Sequence, residues 1–337
     1  MSTRQSGQAP FVFAYRDDLR ALPESALKNE TRLHGGFAVD RRPGFGHLYY
    51  GMAGCGLLRI SPDLTTQEVI DLPPQFQEVS FHSTKIGEFE GKPRLFLPAN
   101  NDEMIAIVTL DGDVEATLMR PEYEEYQAKD VLFKPTDTVF LGGDSYAQKA
   151  ASPSTSPSTT GGEQLIVADG YGANYISTAD LHTQQWVSHF GGKSDDPDHH
   201  GKFGTAHGIN LTPHHHHLAI ADRPHSRIVI TTPTGEWIGS HGLPSGSRPC
   251  GIDFTEWNNA WFAAIGSLDD PEKGRPAPIY VLDADYQLIS TIRPKEDLGI
   301  EQADHIHNVI WYQHGGKLYL ICQAWNPGRF FVLEQVV

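Results

Sequence analysis

Residues 165–169 read Leu-Ile-Val-Ala-Asp, and residues 218–222 read Leu-Ala-Ile-Ala-Asp. Each is a short apolar run bounded by turn residues, which is typical of a buried β-strand. Apolar segments in corresponding positions occupy residues 48–51, 95–98, 260–263 and 318–321, and a further strand pattern follows each of the six. One strand-turn-strand unit repeated six times predicts an all-β, six-bladed β-propeller that spans residues 1–337 as a single domain.

The composition agrees with a turn-rich globular protein, since 33 Gly and 23 Pro accompany 39% hydrophobic residues. A net charge of −16 argues against nucleic acid or an anionic membrane as the partner, and a small-molecule substrate is expected instead. The three cysteines have no C-x-x-C spacing, so neither a disulfide framework nor a thiolate zinc site is indicated. Without a signal-like or membrane-length apolar segment, a cytoplasmic protein is expected.

An apolar-x-apolar pattern opens the innermost strand of each unit and defines one equivalent position per blade. In a propeller this position lies near the central axis, at one end of the channel. Histidines on alternate blades of six would lie about 120° apart and could share one metal ion. The six positions are Gly35, His82, Thr136, His207, Cys250 and His307.

The repeated histidines predict a metal site formed by His82, His207 and His307. Neutral imidazole suits zinc, iron, nickel and copper, and zinc is predicted because no thiolate or carboxylate redox pattern accompanies the histidines. Each histidine could instead satisfy a backbone group beside the channel. His305 is the best rival for the third ligand, and His34 is either a group that supports the ligands or a turn residue.

Two further residues could carry chemistry beside the metal. Tyr171 follows the second strand of blade three on the same face as the histidines, where a phenol near a cation could act as a general base. It could equally cap the channel by packing. Arg223 follows the matching strand of blade four and could hold a carboxylate or developing oxyanion, or be a surface ion-pair partner. Cys250 is interpreted as a small buried hydrophobe.

Other segments are placed by the repeat. The Ser/Thr/Pro tract at residues 152–162 is predicted to be a loop on the face away from the histidines. Loops at residues 191–204 and 266–278 are predicted to wall the channel mouth and select the substrate. Residues 11–15 alternate like a strand and could close the ring as the outer strand of blade six. Residues 214–217 are predicted to be a turn on the far face, and His199 and His200 part of a solvated acidic loop.

Two motifs resemble a known family. Residues 190–192, 201–203 and 206–209 look like the spaced glycines and aromatic residue of an NHL repeat. Residues 167–172, Val-Ala-Asp-Gly-Tyr-Gly, are similar to the tyrosine-bearing segment of peptidyl-α-hydroxyglycine α-amidating lyase, a zinc enzyme. The resemblance implies that His82, His207 and His307 are zinc ligands and that Tyr171 is the active-site tyrosine.

The sequence departs from that family at two places. Residues 51–53 are Gly-Met-Ala where the lyase has an arginine, and His305 replaces a methionine. Because a metal site can be kept while the substrate changes, the resemblance favours a metal-dependent lyase that cleaves a C–N or C–O bond in a small polar hydroxylated compound. The alternatives are a metal-dependent hydrolase such as a lactonase, which the histidine trio disfavours, and a non-catalytic NHL-type scaffold, which predicts no metal.

Overall fold

The computed structural model describes residues 4–142, 162–214 and 216–336. These residues form 25 strands in six sheets, which confirms the all-β, six-bladed propeller. The loop predicted at residues 152–162 lies outside the described residues except for Gly162, and His215 lies outside them as well. Among the described helices, none is long and apolar enough to cross a bilayer.

The strands follow one another around the ring, four to a blade. The chain opens with β1 (Gln5–Gln8), β2 (Phe11–Tyr15) and the helix α1 (Glu24–Asn29). Blade one contains β3 (Ala38–Val39), β4 (Leu48–Met52), β5 (Gly56–Ile60) and β6 (Gln67–Ile70). Blade two contains β7 (Lys85–Phe89), β8 (Lys92–Ala99), β9 (Met104–Thr109) and β10 (Val114–Met119). Blade three contains β11 (Asp137–Leu141), β12 (Gln164–Ala168), β13 (Tyr175–Asp180) and β14 (Gln185–Gly191).

The second half continues the pattern. Blade four contains β15 (Ala206–Leu211), β16 (Leu218–Asp222), β17 (Arg227–Thr231) and β18 (Trp237–Gly242). Blade five contains β19 (Pro249–Trp257), β20 (Ala260–Ser267), β21 (Ile279–Leu282) and β22 (Leu288–Ile292). Blade six contains β23 (Ile306–His314), β24 (Lys317–Ala324) and β25 (Arg329–Gln335). Short 3₁₀ helices lie at Asp17–Leu19, Glu30–Arg32, Pro74–Phe76 and Glu124–Tyr126.

Burial decreases from the second strand of a blade to its outer edge. All five residues of β16 are buried, whereas the outer strand β18 has no buried residue. A second strand packs against the neighbouring blade on both faces, so it reads as a continuous apolar run rather than an alternating one. This is why the six second strands could be located from the sequence.

The ring is closed by strands from both ends of the chain. β2 pairs with β25, with Phe13 opposite Gln335, which confirms that residues 11–15 supply an outer strand of blade six. Phe13 is fully buried, and its ring centroid lies 6.2 Å from that of Trp311. β1 adds a fifth strand that the sequence did not indicate. Its Gln8 backbone N–H donates to Ser290 Oγ of blade five at 2.9 Å, so the added strand also links two blades.

Candidate metal centre

Irregularities in the innermost strands aim two of the predicted residues into the channel. The register of β15 shifts between Ala206 and Ile209, and that of β23 shifts between Ile306 and Asn308. A bulge bends its strand and redirects a side chain. His207 and His307 lie inside these two bulges, and their imidazoles contact each other across the axis instead of packing between the blades.

The three predicted histidines form a nearly equilateral triangle of rings. The centroids lie 4.7 Å apart for His82 and His207, 4.6 Å for His82 and His307, and 4.9 Å for His207 and His307. All three side chains are buried. The expected convergence on the axis is therefore observed, while the role of these residues as metal ligands stays a prediction.

A fourth histidine, His34, joins the cluster. Its ring centroid lies 4.3 Å from that of His82 and 4.6 Å from that of His307, and its other face stacks on Trp325 at 3.8 Å. Each of His34, His82 and His307 offers a ligand nitrogen within 4.8 Å of the other two. The tightest trio thus contains His34 where the sequence prediction has His207. The available signal was that His34 precedes Gly35, which has no side chain to place at the axis of blade one.

The hydrogen bonds of the rings decide which nitrogens are free. His82 Nδ1 donates to the carbonyl oxygen of Thr136 at 2.6 Å, so its buried Nε2, which has no hydrogen-bond partner, presents a lone pair. The buried Nε2 of His307 also has no partner. The Asn308 amide donates to His307 Nδ1 at 2.8 Å, and turning that amide over would present its oxygen to Nδ1–H and free Nε2.

Burial keeps the four imidazoles neutral. It lowers the pKa of His34 to about 3 and holds the pKa values of His82, His207 and His307 well below the usual 6.5. The positive charge of Arg223 acts in the same direction on all four rings. Because a metal binds imidazole in its neutral form, the cluster needs no deprotonation at neutral pH before it can accept an ion.

Tyr171 and Arg223 meet beside the histidines. Arg223 is buried, and its Nη1 donates to the Tyr171 hydroxyl at 2.6 Å. That hydroxyl lies 3.1 Å from His207 Nε2, so it can accept from the guanidinium and donate to the imidazole. Tyr171 is also 37% exposed, which leaves its ring reachable from solvent. Burial raises the pKa of the Tyr171 phenol, and the charge of Arg223 opposes that rise.

Arg223 is buried, so it is not the surface ion-pair partner that one of the two alternatives expected. Its Nη2 donates to Cys250 Sγ at 2.9 Å, and its Nε has no hydrogen-bond partner. Among the described residues, no carboxylate pairs with this guanidinium within salt-bridge distance. Both terminal nitrogens therefore face the tyrosine and the thiol, an arrangement suited to polarising Tyr171 rather than to a free bidentate clamp. Cys250 is buried, as predicted, but it is also a polar partner of Arg223.

The remaining histidines lie outside the cluster. His305 Nδ1 donates to the carbonyl oxygen of Leu268 at 2.5 Å, on the loop of blade five, so it is not the third ligand in this arrangement. His200 stacks on Trp237 with centroids 4.2 Å apart. His214 contacts the ring edge of Trp261, which lines a cavity at the opposite end of the channel. In blade one, the place of the lyase arginine is filled by the buried Met52.

Comparison with known proteins identifies the fold and nothing finer. No protein-family model matches the chain, and no curated protein matches it. A gluconolactonase from Xanthomonas campestris superposes with a TM-score of 0.59 at 12% identity, covering 100% of this chain and 96% of that one. Virginiamycin B lyase from Staphylococcus aureus superposes with a TM-score of 0.53 at 14% identity, covering 91% of this chain and 96% of that one. Hydrazine synthase from Kuenenia stuttgartiensis superposes with a TM-score of 0.52 at 8% identity, covering 88% of this chain and 78% of that one. The resemblance to the amidating lyase stays a prediction.

Proposed function

We propose that this protein is a metal-dependent lyase that cleaves a C–N or C–O bond in a small hydroxylated substrate. The observation that carries the proposal is the cluster of buried, neutral imidazoles of His34, His82 and His307, whose ligand nitrogens lie within 4.8 Å of one another. A buried nitrogen without a partner is costly, and a bound cation would satisfy it. The unpartnered Nε2 atoms of His82 and His307 fit that account.

Zinc is the proposed ion, with another divalent transition metal as the alternative. His34, His82 and His307 would hold it, and His207, whose ring centroid lies 4.7 Å from that of His82, would link this set to the Tyr171 hydroxyl. Because all these ligands are neutral, the ion would keep its full charge and act as a Lewis acid on a substrate oxygen. No carboxylate is part of this set, unlike the carboxylate-rich sites that the lactonase alternative requires.

Tyr171 is the proposed base. Arg223 lowers the cost of its phenolate form, and the partial exposure of the ring lets a substrate hydroxyl approach. The phenolate takes the proton of that hydroxyl as the carbon–oxygen double bond forms. The bond to the leaving nitrogen or oxygen breaks with its electron pair, and the leaving group takes up the proton that Tyr171 removed, which regenerates the base.

The test is the metal content of protein purified without a tag, with His82→Ala as the variant and His305→Ala as the matched control. We expect about one ion per chain in the wild type, its loss in His82→Ala and its retention in His305→Ala. Protein without metal would favour the non-catalytic scaffold. Equal metal in both variants would mean that the ion is bound elsewhere and would overturn the proposal. Incorporation of solvent oxygen into the product would identify a hydrolase instead.

A further inference from the structure

A cavity lies at the end of the channel opposite the histidines. It has a volume of about 740 Å³, within the range of small-molecule sites. Lys85, Asn210 and Asp253 line it, and each follows an axis residue of its own blade by three positions. The lining contains none of the four clustered histidines, so the cavity is separate from the histidine cluster along the axis.

A layer of close contacts divides the two ends of the channel. Asp137 accepts from Ser83 Oγ at 2.5 Å and from the backbone N–H of Ile209 at 3.0 Å, which ties blades two, three and four together. A Cβ at Gly208 would lie 2.0 Å from the carbonyl oxygen of Cys250. A molecule in this cavity would therefore meet a different set of side chains from a substrate at the histidines.

The charges that line the cavity cancel. Arg41 and Lys85 contribute two positive charges, and Asp253 and Glu256 contribute two negative charges, so the formal sum is 2 − 2 = 0. Lys85 Nζ is paired with Asp137 at 3.3 Å, and Arg41 lies 3.7 Å from Asp253. Such a lining gives no net attraction to an anion or a cation. It does offer donors and acceptors, because the Asp253 oxygens keep free lone pairs and side-chain amides stand beside them.

Two indoles line this cavity, and Trp257 packs against a core cluster whereas Trp261 does not. Trp261 belongs to none of the six hydrophobic clusters formed by the described residues. It lies in the β19–β20 hairpin opposite Glu256, and its ring centroid is 5.6 Å from that of His214 in a T-shaped arrangement. An amphipathic aromatic ring on a cavity wall is suited to a ligand with apolar and polar faces. The C–H faces of a sugar ring stack on such a surface while its hydroxyls reach carboxylates and amides.

We propose that this cavity binds a neutral saccharide, with Trp261 as the stacking platform and Asp253 and Asn210 as hydroxyl partners. Asn210 Nδ2 donates to Asp253 Oδ1 at 3.2 Å, so the two side chains already form a joined polar floor. The planar amides of Asn258, Asn259 and Gln313 surround the mouth. A neutral polyhydroxylated ring needs no charged partner in the cavity. Such a ring can stack on the Trp261 indole while its hydroxyls form hydrogen bonds with Asp253 and Asn210.

The test is titration of the full protein with maltose, cellobiose and lactose, followed by calorimetry, with glucuronic acid and glucosamine as charged comparisons. We expect saturable binding of at least one neutral sugar. Trp261→Ala should weaken it about tenfold or more, which corresponds to about 1.4 kcal/mol, and Trp261→Phe should retain most of it. The matched control is Trp237→Ala, on the outer strand β18, which should bind like the wild type.

Three results would overturn this inference. They are no saturable binding of any of the neutral sugars, equal affinity in Trp261→Ala and the wild type, or preferred binding of a charged sugar. Because Trp261 lies outside the core clusters, its replacement should leave the thermal unfolding midpoint unchanged, so a loss of binding would not reflect unfolding. The metal content of Trp261→Ala reports separately on the histidine cluster.

Discussion

Tyr171 is a partly exposed residue whose ring contacts the buried His82 and His207. Its hydroxyl lies between Arg223 Nη1 at 2.6 Å and His207 Nε2 at 3.1 Å, so one oxygen joins a fixed positive charge to the imidazole cluster. The position of this oxygen, rather than the mere presence of a tyrosine, is what makes it suitable for proton transfer.

Removal of this oxygen gives the first prediction. Tyr171→Phe should lower turnover about 10²–10⁴-fold, the usual effect of losing a general base, while the metal content stays at the wild-type level. Tyr123→Phe is the matched control, since its hydroxyl donates only to the backbone oxygen of Ser188. Turnover and metal analysis on the same preparations check the prediction. Full activity in Tyr171→Phe would remove the tyrosine from the mechanism.

The residue scale also shows what the sequence could and could not reveal about the site. His82, His207 and His307 could be found because a repeated strand pattern gives each blade one equivalent position. His34 could be singled out only as a supporting group or a turn residue, and the contact between Arg223 and Cys250 was not foreseen, because both depend on distances between blades that no local pattern records. His305 shares the strand face of His307 by spacing, yet its ring turns away to the carbonyl oxygen of Leu268.

At the scale of elements, the innermost strands approach the axis because they contain residues without side chains at the closest contacts. Gly208 lies in the bulge of β15 beside His207, and a Cβ there would come within 2.0 Å of the carbonyl oxygen of Cys250. A backbone oxygen cannot move aside as a flexible side chain can. The glycine therefore sets the distance between blades four and five at the level of the cluster.

We therefore expect Gly208→Ala to be destabilising by about 1–3 kcal/mol or more, because the two blades must separate. The same change should lower metal content by displacing His207 and its neighbours. Gly239→Ala on β18 is the matched control, since a Cβ there meets nothing within 4 Å and the effect should stay within about 0.5 kcal/mol. Urea unfolding curves of both variants check this. Equal midpoints would mean that the blades adjust freely.

The strands themselves were largely predictable, and their limits have a physical cause. Second strands such as β16 are buried on both faces, and their uninterrupted apolar sequence identifies them. β1 reads Gln-Ser-Gly-Gln and has no apolar pattern, because it is an edge strand held by its ladder with β2 and by bonds to blade five. Pairing of this kind is a tertiary property and leaves no local signal.

At the scale of the whole molecule, the propeller has two ends with different chemistry. One end gathers neutral imidazoles around the axis, and the other forms a cavity with balanced charge and an aromatic wall. The layer that includes Asp137 and Gly208 separates them, so each end can be altered without the other. The two ends are held in one ring because β2 and β25, from opposite ends of the chain, pair in blade six.

The histidine cluster makes the stability of the metal-free protein depend on pH. Its imidazoles have lowered pKa values in the folded chain, with that of His34 at about 3, whereas in the unfolded chain they return toward 6.5. Below pH 6.5 these imidazoles therefore bind protons in the unfolded chain but not in the folded chain. The free energy of unfolding should fall as the pH decreases, by about 1.4 kcal/mol per pH unit for each such imidazole.

Urea unfolding in the presence of a chelator, between pH 7 and pH 5, measures this slope. His34→Gln should reduce the slope of the unfolding free energy against pH by about 1.4 kcal/mol per pH unit, because it removes one buried imidazole that stays neutral in the folded chain. Gly239→Ala, which removes no titratable group and meets nothing within 4 Å, should keep the wild-type slope. Equal slopes in wild type and His34→Gln would contradict the prediction. Restoring metal should raise stability by a similar amount across this pH range and leave the slope unchanged, since the ion binds imidazoles that are already neutral in the folded chain and does not bind the unfolded state.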